Sequence, residues 1–100
     1  MDISDVKITI IKNVKLPELI EEYGVGTVET VCPVLQEGQE YISKGMNMPE
    51  GFCSWAWADI QRDVVHVGLG GDFPWIKEKG QIISACTDGL RPVIMKIERA

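Results

Sequence analysis

Ile82-Ile83-Ser84-Ala85-Cys86-Thr87-Asp88-Gly89-Leu90-Arg91-Pro92-Val93-Ile94-Met95-Lys96-Ile97 says more about the fold than any other part of the chain. Two apolar, largely β-branched runs flank Asp88-Gly89, a dipeptide that accepts the positive φ of a tight hairpin turn. The pattern predicts two antiparallel strands with Cys86 opposite Arg91 at the tip. Ile82, Ser84 and Cys86 then share a face with Arg91, Val93, Met95 and Ile97, because side chains alternate along a strand. That face is the more apolar one and is expected to be the core face. A thiol and a guanidinium would meet where it reaches the tip, which makes this hairpin the best functional lead in the chain.

Toward the N-terminus, Val6 to Lys12 alternates in the same way and predicts a strand with Val6, Ile8 and Ile10 inward. It is expected to pair with the C-terminal strand. Leu16 to Gly24 reads as a short helix with Pro17 in its first turn, Gly24 as its stop, and Leu16, Leu19, Ile20 and Tyr23 as a buried stripe. Thr30 to Leu35 and Gln39 to Ser43 are expected as short strands around Glu37-Gly38, with Pro33 marking an edge or a bulge. Gly45 to Phe52 is loop, in which Met46 and Met48 read as gap-fillers. Ser54 is the expected cap of a longer helix over Trp55 to Val67. Its wheel puts Ala56, Trp57, Ile60, Val64 and Val67 on the apolar side. Trp55, Asp59, Arg62, Asp63 and His66 fall on the other, with Asp59 and Arg62 spaced for a surface ion pair. Gly68 to Gly71 ends the helix and matches neither phosphate-loop pattern. Asp72 to Gly80 reads as a short helical turn capped by Asp72, with Phe73 and Trp75 closing one end of the core.

The chain of 100 residues is one domain of small size, and its 45% hydrophobic content suffices for a core without staples. Fifteen acidic residues against ten basic ones give a net charge of −5, which argues against nucleic acid and against anionic membrane surfaces as partners. No apolar run approaches the roughly 18 residues of a membrane span. The acidic Met1-Asp2-Ile3-Ser4-Asp5 start lacks a signal-peptide pattern, so a cytoplasmic location is expected. Three widely spaced cysteines without a Cys-x-x-Cys pair are not a disulfide framework.

Those cysteines carry the candidate chemistry. Cys53 stands immediately before the long helix, where backbone N–H groups and the positive dipole end favour a thiolate. Cys86 is expected beside Arg91, a residue suited to bidentate capture of a carboxylate or phosphate. Cys32, Cys53 and Cys86 converging would make a transition-metal site. The same residues, with Asp88 and Trp55, can instead wall a site for a small anionic ligand, and three thiols can also simply pack as small hydrophobes. No Ser-His-Asp or Cys-His-Asp arrangement can be argued around His66, so catalysis is left open. A different use of the chain is a non-catalytic interaction module, a homo-oligomer with Trp55 and the Phe73/Trp75 turn at its interface.

Pro49-Glu50-Gly51-Phe52-Cys53-Ser54-Trp55-Ala56-Trp57-Ala58-Asp59-Ile60 and Cys86-Thr87-Asp88-Gly89-Leu90-Arg91-Pro92-Val93, together with Cys32-Pro33 and Glu37-Gly38-Gln39, form a recognisable set. With GFCxWAWxDI and CTDGxRPV motifs, the chain resembles a family of uncharacterised prokaryotic proteins of about this length. The resemblance covers nearly the whole chain. It implies that Cys32, Cys53, Cys86, Asp88 and Arg91 belong to a recurring pattern, and it attaches no activity to them. The expected fold is α+β: a small, mostly antiparallel sheet packed against one longer helix and shorter helical pieces.

Overall fold

A computed structural model describes residues 2–26 and 31–100. The chain runs β1 (Val6–Asn13), α1 (Pro17–Tyr23), β2 (Glu40–Ser43), α2 (Ser54–Gly68), β3 (Gln81–Ala85) and β4 (Val93–Arg99). The strands form one antiparallel sheet in the order β2-β1-β4-β3, with α2 across one face. This is the expected α+β architecture.

Alternation places the core. Val6, Ile8 and Ile10 of β1, Ile82 of β3, and Val93, Met95 and Ile97 of β4 are all buried. They meet Ala56, Ile60, Val64 and Val67 of α2, four residues of the expected apolar side. The pairing of β1 with β4, Val6 opposite Arg99 through Asn13 opposite Val93, sits at the centre of the sheet. It leaves the ends of the described chain side by side, with Ala100 N–H donating to Asp5 O at 2.9 Å.

One irregularity re-aims the end of β1. The β1–β4 register shifts between Ile10 and Lys12, leaving Ile11 as an extra residue. A bulge flips the alternation beyond it. Asn13 therefore lies opposite core-facing Val93.

Several expectations are corrected. The Asp88-Gly89 hairpin is wider than a two-residue turn. Ala85 pairs with Ile94, and Cys86 N–H donates to Val93 O at 3.1 Å, so Cys86 faces Val93 and not Arg91. The register differs by two residues, which preserves the faces and releases 87–92 as a loop. Thr30 lies outside the described residues, and 31–35 is irregular where a strand was expected. β2 pairs with β1 instead, and Gly38 N–H and Gln39 O bond Ile10. In α1 only Ile20 is buried; Leu16, Leu19 and Tyr23 are exposed. Residues 72–80 form turns and no helix. There Asp72 Oδ1 accepts Gly80 N–H at 2.6 Å and pairs with Arg99 Nη2 at 2.8 Å. Gly80 has φ +78° and a Cβ there would lie 2.8 Å from Arg99 Nη2, so this turn requires glycine.

Candidate functional site

A cavity of about 500 Å3 opens where the β3–β4 loop, the start of α2 and the irregular 32–35 segment meet. Each wall has a local cause.

The first wall is Cys32 to Leu35. It lacks strand partners, so its carbonyls need other donors. Asn13, turned to the core side by the bulge, supplies them: Nδ2 donates to Leu35 O at 2.6 Å and to Cys32 O at 3.4 Å. Asn13 N–H donates in turn to Glu37 Oε1 at 2.9 Å.

The second wall is the first turn of α2. Cys53, and not Ser54, occupies the N-cap position, with φ −74° and ψ 121° and no side-chain cap bond. Cys53 lines the cavity with Ala56, and Trp55 stands at the rim, 71% exposed.

The third wall is the loop after β3. Asp59, one turn into α2, ties it down. Thr87 N–H donates to Asp59 Oδ2 at 2.8 Å, and Thr87 Oγ1 donates to Asp59 Oδ1 at 2.9 Å. The expected Asp59–Arg62 pair is therefore replaced; Arg62 lies 3.7 Å from Asp63, which is buried despite its place on the polar arc. Asp88 shapes the loop from within, its Oδ1 accepting Leu90 N–H at 2.9 Å and Arg91 N–H at 3.0 Å. This is an Asx-type turn, the reason an Asp rather than any turn former sits here. Burial pushes the Asp88 carboxyl up, but those two N–H groups and the Arg91 guanidinium outweigh it and hold the group below the usual carboxylate value.

Arg91 follows from the same turn. Its side chain is three-quarters buried and its Nε lies 3.6 Å from Asp88 Oδ2. At that length the contact is an ion pair without a good hydrogen bond. Nε is buried with no hydrogen-bond partner among the described residues.

Cys86 Sγ accepts Val93 N–H at 3.2 Å, so this thiol completes the end of the β3–β4 ladder. Cys32 and Cys53 are half-buried. All six residues singled out in the sequence, Cys32, Cys53, Trp55, Cys86, Asp88 and Arg91, line this one cavity. Yet among the described residues no group of three or more His, Cys, Asp or Glu is arranged to hold a metal ion. His66 lies elsewhere, its Nε2 3.1 Å from Asp72 O and its ring edge-on to Phe73. Sequence reasoning missed Asn13 and the role of Asp59. Neither carries a local signal, because one depends on a bulge and the other on a contact 28 residues away.

The site is thus a mostly apolar cleft at one end of a two-layer α+β domain, with one guanidinium and one carboxylate in its lining. No family model, curated protein or solved structure matches the chain. No helix among the described residues is long and apolar enough to cross a membrane.

Proposed function

We propose that this cavity binds a small anionic ligand, with Arg91 as the group that meets its charge. The observation that carries the reading is the state of Arg91: buried at Nε, without a hydrogen-bond partner there, and held at ion-pair distance from a carboxylate engaged with two backbone amides. A buried donor left unsatisfied costs about 1–3 kcal/mol, so a ligand that reorganises and satisfies this guanidinium gains from it. A transition-metal site from Cys32, Cys53 and Cys86 is the weaker use of these walls, since among the described residues no three His, Cys, Asp or Glu groups are arranged to hold a metal ion. Any thiol chemistry in the site falls to the half-buried Cys32 and Cys53.

The test is an amide chemical-shift titration with sodium acetate, sodium benzoate and inorganic phosphate. The expected result is a saturating shift for at least one probe, centred on residues 53–56 and 86–91 and absent in Arg91→Ala. No saturating shift with any of the three, or shifts unchanged in Arg91→Ala, rejects the anion site.

A second reading has its own support. Trp55 and Val34 are both exposed at the cavity mouth, which suits an interface between copies of the chain. Trp75, also exposed, is tied through Phe73 to His66 near the other end of α2. About 16 Å of helix separates Trp55 from His66 at 1.5 Å per residue, so an interface using Trp55 and Trp75 spans the helix length. Sedimentation of wild type and Trp55→Glu decides it. A wild-type oligomer that Trp55→Glu dissociates supports the module; an unchanged state removes Trp55 from any interface.

A further inference from the structure

We infer that the ligand of this cavity is a monocarboxylate carrying an apolar body, an inference that rests on the anion site proposed above. The charge count sets the head group. Among the described residues the lining holds one cation, Arg91, and one anion, Asp88. Asp88 is not available as a partner for the ligand. Its Oδ1 accepts two backbone amides and its Oδ2 stands 3.6 Å from Arg91 Nε. It stays as a fixed negative charge beside the place where the ligand's oxygens must go. Arg91 and Asp88 cancel, so one ligand carboxylate on the Arg91 guanidinium already leaves the site with one excess negative charge. A second carboxylate doubles that excess with no further cation in the lining, and unmatched charge in a low-dielectric cleft is strongly disfavoured. Dicarboxylates, and the hydrogenphosphate dianion that makes up much of neutral phosphate, are selected against, while a planar carboxylate suits the guanidinium fork.

The remaining walls set the body. Val34, Leu35, Ala56 and Val93 are apolar, and thiols behave as small hydrophobes. The hydroxyl in the lining, Thr87 Oγ1, is spent on Asp59. Apart from the Trp55 indole N–H at the exposed rim, the lining's side chains offer little to a hydroxylated body. A volume of about 500 Å3 far exceeds a bare carboxylate and matches sites for small organic molecules. An apolar chain fills the surplus.

Calorimetry with butyrate, hexanoate and adipate at neutral pH tests this, with inorganic phosphate as a further probe. Hexanoate adds two methylenes to butyrate, and each buried methylene strengthens binding about fourfold, so hexanoate is expected to bind about 15-fold tighter. Adipate, which carries a carboxylate in place of hexanoate's terminal methyl, is expected to bind at least tenfold more weakly. Arg91→Ala should abolish hexanoate binding. Arg91→Lys, which keeps the charge and loses the fork, should weaken it, and a melting curve on each variant reports folding. Adipate or phosphate binding as tightly as hexanoate, or butyrate equal to hexanoate, overturns the inference while leaving the anion site standing. No binding by any of these anions overturns both.

Discussion

Cys86 shows how one side chain can look chemical and act structurally. It is buried, and its sulfur takes the N–H of Val93 where the ladder between β3 and β4 runs out. Cys86→Ala leaves that amide unpaired and is expected to cost about 1–3 kcal/mol in urea unfolding. Cys86→Ser, which retains an acceptor, should cost less. In native-state thiol titration Cys32 and Cys53 should react first and Cys86 last. Two carboxyls contribute to the acid limb of stability. Asp72 is held low by Arg99 and the Gly80 N–H, while Asp88 is held low, against its burial, by two amides and Arg91. Because both folded values lie below the ordinary 3.8, their contribution is fully present above 3.8 and is lost as pH falls through the folded values. Asp72→Asn and Asp88→Asn should each flatten the fall in the urea midpoint between about pH 5 and about pH 2. A slope identical to wild type in both variants contradicts these assignments.

At the scale of elements, α1 and α2 differ in what they bury. α2 presents Ala56, Ile60, Val64 and Val67 to the sheet, and Ile60 is fully buried. Ile60→Ala is expected to destabilise by about 2–5 kcal/mol. α1 spans only seven residues, lacks a side-chain cap and buries only Ile20. Leu19→Ala should stay within about 0.5 kcal/mol of wild type. Hydrogen exchange should show α1 amides opening well below the global unfolding free energy and α2 amides near it. The same contrast explains which helix reading succeeded. A 3.6-residue apolar period names a face, but it becomes a buried face only if another element arrives to cover it. The sheet covers α2; it leaves most of the α1 stripe in solvent.

For the molecule as a whole, the link between β4 and the end of α2 holds the two layers in place. Arg99 Nη1 donates to Val67 O at 3.1 Å and Gly71 O at 2.7 Å, while Nη2 meets Asp72 at 2.8 Å. These charge-assisted bonds satisfy carbonyls at the helix C-terminus. Arg99→Met should cost about 1.5–3 kcal/mol, with faster amide exchange concentrated in residues 69–80. Exchange spread evenly over the sheet would argue against this link. On the face of the sheet away from α2, beside the exposed Ile42 and Ile83, Lys7 lies 3.6 Å from Glu40 and 3.5 Å from Glu98 across three adjacent strands. Such exposed pairs add little stability.

The set of inward faces was legible in the amino-acid sequence alone. Period-two alternation in 6–10, 82–86 and 93–97 places the inward residues whatever the loop length, because a register change of two residues preserves sidedness. The candidate residues were legible for a related reason: thiols, a guanidinium and an Asp-Gly turn are chemically distinctive wherever they lie. How they relate to one another was settled by tertiary contacts. Cys86 faces Val93 rather than Arg91, the bulge at Ile11 brings Asn13 to the Cys32–Leu35 wall, and Asp59 reaches Thr87 across 28 residues. These contacts depend on how separate elements dock, and local propensity carries no information about a partner that sequence keeps distant.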